Sequence, residues 1–519
     1  MPVREHARLL VIGAGPAGLA AAIEAARRGI EVVLVDEHPV DHALMGLDVP
    51  FHFGQRMSGA VRSKASMIEA VIAADERIAE AFEAGVDVRL GMAVWGLFSH
   101  RPGLRWITQH VAGLTDGESC WFLSFDAAIV ATGRRDIGLA FPGWEAPGVM
   151  GVTAAQALLQ RYDALESERL VILGSGAEAT GFARAALAAG REIAAIVEVA
   201  DAPRDAAACQ ELAALGIPIL TGTMVARAIS GPEGLTGVLL QAPGGAGEMR
   251  TLVCDTLVLA IGTAPVIELL DVAGAEIVFG AGRGGHVPAI DADGRTSVPG
   301  IFAAGDCAGI HAGKTADAGI AAEEGRRAAI AACAALETDR KHAAWHPVAI
   351  SGTIAAQDDV AAIRAAWVAA AMTVASADTH LCQCEEVSLP DLLGVRPPRY
   401  LPRDQAPMLA RDLLSLVDDG LVSQDQIKRL TRAGMGPCQG RRCREQVGAV
   451  LARASGTPLE RLPLPSYRAP VRPLPLSAFA EDHEPGAISQ NWEGWFGIPG
   501  QWDPFWTLGA ATVAVEERP

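Results

Sequence analysis

The sequence predicts an α/β chain with two Rossmann-like dinucleotide-binding units, followed by a smaller C-terminal region that carries four cysteines. Three observations carry this expectation. A strand, a glycine-rich turn, a helix, a second strand and an acid follow one another at the start of the chain. The same order recurs from Leu170. Two close cysteine pairs stand beyond residue 380.

The first unit runs from an apolar, β-prone stretch at Arg8 to Val11 into Gly13-Ala-Gly-Pro-Ala-Gly18. A helical run from Leu19 to Arg28 ends at Gly29, a natural helix stop. The strand Glu31 to Val35 then ends at Asp36, with Glu37 next. Gly13 allows the tight turn, and Gly15 lets the backbone approach a pyrophosphate. Gly18 lets the helix pack close to the strand. The helix N-terminus, opening at Pro16 and Ala17, offers free N–H groups and a partial positive charge to the phosphates. Asp36 stands where a carboxylate accepts ribose hydroxyls.

In the second unit, the strand Leu170 to Leu173 leads into Gly174-Ser-Gly176-Ala-Glu-Ala179, a helix to Ala189, and a strand from Glu192 to Val197 that ends at Glu198. Ala179 takes the third glycine's place, which the fingerprint allows. Glu198 sits where NAD-type sites place their acid, and no basic residue directly follows it to favour a 2′-phosphate. This unit is expected to bind NAD or another adenine nucleotide. An empty structural repeat is the competing reading.

Two further strands end in glycine. Ala127-Ala-Ile-Val-Ala-Thr132-Gly133-Arg134 follows the first unit, and Asp255-Thr-Leu-Val-Leu-Ala-Ile-Gly262-Thr263-Ala-Pro265 lies near the second. Thr296-Ser-Val-Pro-Gly-Ile-Phe-Ala-Ala-Gly305-Asp306 comes next, and Ala308 to Ala331 reads as a closing helix. With these strings the chain resembles the two-dinucleotide-domain flavoproteins that include glutathione and thioredoxin reductases. The resemblance implies that the first unit holds FAD, with Asp306 on the ribityl chain and the N-terminus of the closing helix near the flavin ring. The paired cysteines of disulfide reductases are missing beside Gly46 to Gly59 and in the second unit, and Cys307 stands alone, so disulfide reduction is not expected. His52, His311 and Lys314 stand at positions that could approach the flavin, but such residues more often serve surface or packing roles.

Of nine cysteines, Cys120, Cys209, Cys254, Cys307 and Cys333 are scattered and read as small core residues. Cys382-Gln-Cys384 and Cys438-Gln-Gly-Arg-Arg-Cys443 form close pairs, and four thiolates so arranged can hold a metal. Cys-x-Cys with Cys-x4-Cys suits zinc knuckles poorly. The region resembles the α-rich [2Fe-2S] domain named after bacterioferritin-associated ferredoxin. That resemblance implies a cluster on Cys382, Cys384, Cys438 and Cys443, with Gly434 and Gly436 turning N–H groups toward sulfur and Arg441, Arg442 and Arg444 offsetting the thiolate charge. Zinc and metal-free thiols stay open. The Pro- and Arg-rich stretch from Val395 to Pro407 departs from the usual spacing and reads as an inserted surface loop.

Phe141-Pro-Gly-Trp-Glu-Ala-Pro-Gly-Val149 and Thr431-Arg-Ala-Gly-Met-Gly-Pro-Cys-Gln-Gly-Arg441 extend the likeness over residues 8 to 470. The whole chain resembles the α subunit of heteromeric amine and amino-acid dehydrogenases, a group with opine oxidases, D-hydroxyproline dehydrogenase, dye-linked proline dehydrogenase and hydrogen cyanide synthase. It also resembles part of the sarcosine oxidase α subunit. The resemblance implies an electron-relaying subunit of an enzyme acting on CH–NH donors. Its implied partners are a smaller FAD-containing β subunit, which oxidises the substrate, and a small third subunit. Some members hold FMN at a subunit interface, and some bind NAD or ATP in place of one dinucleotide. Asp48-Val-Pro-Phe-His-Phe-Gly-Gln55 stands where the family often carries Gly-Gly-Gln. No residue of this chain is named as an acid or base for amine oxidation. A self-sufficient NADH-dependent reductase and a zinc-stapled scaffold remain as rival readings.

The implied domains are 1–140 with 285–345 for FAD, 141–284 for the second nucleotide, 346–380 as a helical linker, 381–465 for the cluster and 466–519 as a tail. Trp492, Trp495, Trp502 and Trp506, with Phe496 and Phe505, suggest that the tail docks on a partner. A strap over the chain's own core is the alternative. With 43 basic and 61 acidic residues the net charge is −18, which argues against a nucleic-acid surface. Met1 to His6 lead straight into a strand without a leader pattern, and the apolar stretch Ala361 to Ala377 contains Arg364 and is too short to span a membrane. The expected location is the cytoplasm or the inner face of the membrane.

Overall fold

The computed structural model describes residues 3–39, 64–101, 107–245, 248–338, 345–348, 359–398 and 411–479. His52, the segment 48–55, most of the inserted loop (399–407) and the tryptophan-rich tail lie outside them.

The first sheet has seven strands among the described residues, in the order Asp87–Leu90, Val32–Asp36, Val3–Ile12, Cys120–Val130, Val111–Thr115, Ala93–Phe98, with Ile301–Ala303 also on Cys120–Val130. The first four and Ile301–Ala303 run parallel, and the other two are antiparallel. The eleven-residue strand Cys120–Val130 makes this possible. Its first half pairs with Val111–Thr115, and its last three residues, Ala128 to Val130, pair with Ile301 to Ala303. The chain therefore leaves the first unit and returns to it more than 160 residues later.

Helix Pro16–Arg27 opens on Gly15 with proline at its first turn, where a missing N–H costs nothing. It ends at Arg28, after which Gly29 takes a left-handed conformation. Ala17 to Ala22 are all buried against the sheet and against helix Ala318–Thr338. The expected closing helix is not continuous from Ala308. A 3-10 turn (Gly305–Ala308) and a short helix (Ala312–Ala316) come first, and Asp317, in extended backbone, separates them from Ala318–Thr338. The break lets Lys314 turn inward.

The second sheet is parallel, in the order Ile219–Leu220, Glu192–Val197, Arg169–Leu173, Thr256–Leu259, Val149–Gly151. One apolar core joins the first sheet's helical side to Leu170, Ile172 and Phe182 of the second unit. A second core joins the other face of the second unit to the cysteine region. Helix Val360–Met372, in the stretch read as a linker, is docked there: Trp367 and Val368 are buried, and the helix packs along Arg444–Ser455. Each large apolar side chain buried this way contributes about 1.5–3 kcal/mol. No described helix is long and apolar enough to cross a membrane.

Candidate functional site

A cavity of about 770 Å³ begins at the first glycine turn. Gly13, Gly15, Asp36, Thr132, Gly133 and Asp306 are all on its wall. Strand order explains this. The ends of Val3–Ile12, Val32–Asp36, Cys120–Val130 and Ile301–Ala303 lie side by side, so residues far apart in sequence meet at one sheet edge.

The turn fits a dinucleotide on its own geometry. At Gly13, whose φ is +109°, an added Cβ would come 2.3 Å from the Ala131 carbonyl oxygen. At Gly18 it would come 1.8 Å from the Gly13 oxygen. At Gly15 it would meet nothing within 4 Å, so it would project into the cavity where the fingerprint brings a pyrophosphate. Asp36 accepts from the Ala14 N–H at 2.5 Å and from the N–H and Nδ1 of His38 at 2.8 and 3.0 Å. Burial opposes its ionisation, but His38 and the Ala14 N–H outweigh burial and hold the carboxyl well below the usual range. Glu37 also lines the cavity, and helix Pro16–Arg27 places Pro16 and Ala17 there.

The far wall is locked by ion pairs. Gly305 N–H donates to Glu324 at 2.9 Å, and the buried Lys314 ammonium holds Glu324 at 2.8 Å together with the carbonyls of Gly305 and Gly309. Arg134 lies 3.4 Å from Asp306 and donates to Thr315. Burial pushes the Asp306 carboxyl up. Thr132 donates to the Val266 carbonyl at 2.7 Å, and His311 accepts from the Lys314 N–H as a helix cap. Cys307 is fully buried, and burial raises its thiol to about 11.

The second glycine turn differs. Gly174, Gly176, Glu198 and Gly262 are absent from the cavity wall. Glu198 is 1% exposed and accepts from the Ser175 hydroxyl at 2.6 Å and the Ala200 N–H at 3.2 Å. Residues 201–205 fold over the turn, with Arg204 N–H donating to Ser175 and its guanidinium 3.0 Å from where a Gly176 Cβ would stand. The face that a pyrophosphate approaches is thus covered by a side chain.

The four paired cysteines do come together. Cys382 lies 4.0 Å from Cys384, Cys384 lies 3.5 Å from Cys438, and Cys443 is beside Cys382. The edge of a tetrahedron around a thiolate-bound metal is about 3.8 Å. The contacts nevertheless run as a chain, and no three His, Cys, Asp or Glu side chains close around a single ion position among the described residues. Gly434 N–H donates to Cys382 Sγ at 3.4 Å, and a Cβ on Gly436 would strike Cys384 Sγ at 2.6 Å. Of the three arginines expected to offset thiolate charge, Arg444 is committed elsewhere, because Glu268 and Glu445 hold it. Arg442 donates to Gln383, and Arg441 is buried. Gln383, Arg441 and Arg442, sequence neighbours of the cysteines, all line the same cavity as the first glycine turn.

A buried ion chain crosses between the parts. Arg135, beside the first unit, holds Glu268 at 2.5 Å, and Glu268 holds Arg444 at 2.8 Å. Arg444 then meets Glu445, which meets Arg364 on helix Val360–Met372 at 2.8 Å. Sequence reading missed these residues, because partners up to 176 positions apart leave no local pattern. Burial opposes ionisation of Glu268 and Glu445, but the arginines outweigh it and lower both carboxyls, Glu445 to about 2. Depressed folded values stabilise the protein above the unfolded value and lose that stabilisation as pH falls through the folded one. Stability should therefore decline between about pH 4.3 and 2, and Glu268→Gln should remove up to about 1.4 kcal/mol per pH unit of that slope. Urea titrations across this range check it; an unchanged slope would count against the chain.

The sequence profile described as pyridine nucleotide-disulphide oxidoreductase matches residues 7–332, and that of the sarcosine oxidase A3 domain matches residues 405–483. An opine oxidase subunit from Agrobacterium tumefaciens (strain Ach5) is 27% identical over 502 residues, covering 91% of this chain and 91% of the relative. Hydrogen cyanide synthase subunit HcnB of Pseudomonas aeruginosa is 29% identical, covering 91% and 98%. The sarcosine oxidase α subunit of Corynebacterium sp. (strain P-1) is 26% identical over 92% of this chain and 45% of its own length. Among solved structures, L-proline dehydrogenase from P. horikoshii superimposes with a TM-score of 0.57 at 20% identity, covering 92% of this chain and 80% of the other.

Proposed function

The chain belongs to the pyridine nucleotide-disulphide oxidoreductase family of flavoproteins, and from that premise we propose that it is the electron-relaying subunit of a heteromeric amine or amino-acid dehydrogenase. FAD is assigned to the first glycine turn and a [2Fe-2S] cluster to Cys382, Cys384, Cys438 and Cys443. One observation carries the reading. A single cavity begins at Gly13 and Gly15 and reaches Gln383, Arg441 and Arg442 beside the four thiols. Bound FAD supplies reversible redox chemistry. The residues of this chain bind and orient: the turn cradles the pyrophosphate, Asp36 holds ribose, and Lys314 with Glu324 fixes the Gly305-Asp306 turn. The thiol contacts bring the four candidate ligands together, and the Cys-x-Cys and Cys-x4-Cys spacing favours the cluster over a zinc knuckle.

Substrate oxidation is assigned to a smaller FAD-containing partner subunit. The relatives named above are themselves named as subunits. On this chain's cavity wall Arg134, Glu268 and Lys314 are engaged in ion pairs. The test is an absorption spectrum of the purified chain before and after dithionite, with iron and sulfide assays. Flavin and cluster bands that bleach together, with about two iron and two sulfide per chain, are expected. A colourless protein with one zinc would overturn the assignment.

The rival NADH-dependent reductase needs an open second nucleotide site. Arg204 over Gly176 and the inward-turned Glu198 disfavour it. NADH should therefore leave the flavin oxidised over seconds in stopped-flow traces, and rapid bleaching would favour the rival.

A further inference from the structure

Residues beyond the cysteine region reach back to the first nucleotide site. Val471 N–H donates to the Trp95 carbonyl at 2.7 Å, and Val471 is buried in the first unit's core. Ala469 and Leu474 pack on a small apolar cluster of Trp95, Cys120 and Ala478, with Phe98 and Phe122 at its edge. Ala469 sits so close to Gly96 that a Cβ there would lie 3.2 Å from it. Several independent contacts thus pin residues 469–478 across the antiparallel strands of the first sheet.

The pinned segment holds Arg472 at one end of the cavity. Its guanidinium pairs with Glu37, the residue directly after Asp36. Arg472 and Val471 line the cavity together with Asp36, Glu37, Met92 and Val94. In the fingerprint the acid at the end of the second strand takes the ribose of the adenosine half. The base then lies beyond that ribose, where Glu37, Met92 and Arg472 stand.

We propose that this C-terminal strap is the fourth wall of the first nucleotide site, and that Arg472 recognises the adenosine end of the bound dinucleotide. The ligand class is an adenine nucleotide, and the inference rests on the dinucleotide reading of the first site. A guanidinium has a flat face that stacks on an aromatic base and a fork of N–H donors at its edge. The pair with Glu37 fixes that plane in place and neutralises a second carboxylate beside Asp36, so the nucleotide meets one acid rather than two. A lysine would keep the charge and lose the plane.

The test uses the full chain stripped of bound nucleotide, titrated calorimetrically with ADP and with FAD. Arg472→Ala is expected to weaken ADP at least tenfold and FAD by a similar factor, and Arg472→Lys to weaken both about threefold. Thermal unfolding separates recognition from support. A merely structural arginine would lower the midpoint of the nucleotide-free chain and leave the ADP-induced increment unchanged, whereas the proposal requires a smaller increment. ADP binding by Arg472→Ala as tight as wild type, or tighter, would overturn the strap and leave the first-site reading intact. A wild-type chain that binds neither ADP nor FAD would overturn both.

Discussion

Gly18→Ala should destabilise the N-terminal unit by about 1–3 kcal/mol, whereas Gly15→Ala should leave the fold's stability intact and weaken nucleotide binding. The two glycines are three residues apart in one motif, and the same methyl group meets opposite surroundings. At Gly18 it would come 1.8 Å from the Gly13 carbonyl oxygen, a backbone atom already fixed by the tight turn. Helix Pro16–Arg27 would have to lift from the sheet, against Leu19, Ala21 and Ala22 and against helix Ala318–Thr338. Overpacking of a close contact costs about 1–3 kcal/mol and more where backbone must move. Against a stability of about 5–15 kcal/mol that loss lowers the melting midpoint by several degrees without abolishing the fold. At Gly15 the methyl meets no protein atom, so the midpoint of the nucleotide-free chain should stay within about 2 °C. The methyl would occupy the place of the pyrophosphate, and FAD affinity should fall at least about tenfold. Circular dichroism melting with flavin fluorescence reads both effects. If Gly15→Ala kept wild-type FAD affinity, the pyrophosphate would lie elsewhere.

The second large effect belongs to Cys382. It is fully buried and touches both Cys384 and Cys443, so it is the buried one of the two inner links of the thiol chain. Cys382→Ser should abolish the proposed cluster, with loss of all the iron and of the electron-paramagnetic signal after dithionite, while flavin content stays near wild type. Cys307→Ser is the matched control. That thiol is equally buried, but it faces the Val130 carbonyl at 3.1 Å on the flavin side. It should keep iron and sulfide at wild-type levels. Full iron in Cys382→Ser would remove that residue from the ligand set.

These effects were legible in the sequence because their causes are local. A glycine turn flanked by two strands and an acid, or a cysteine pair, is written within a few residues. The fingerprint is silent about what covers it. Gly174-Ser-Gly176 reads like the first turn, yet residues 201–205 lie over it, and only the folded chain brings Arg204 onto Gly176. The break at Asp317 was hidden for a similar reason. Alanine-rich sequence favours helix throughout, and the interruption is set by Lys314 turning inward to Glu324 and two carbonyls. The ion chain from Arg135 to Arg364 was equally invisible, since its members come from four separate segments.

The pair between Glu37 and Arg472 joins residues 435 positions apart, and strand Ile301–Ala303 enters a sheet whose other strands end by Val130. During synthesis the N-terminal unit emerges first but cannot close. Its central sheet waits for residue 303, and its adenosine end waits for residue 472. Contacts this distant in sequence slow folding, since a long loop must be ordered before they form. The cavity is thus complete only when segments 435 positions apart have come together. A chain cut before residue 469 would keep the glycine turn and lose the wall that Val471 and Arg472 add to the cavity.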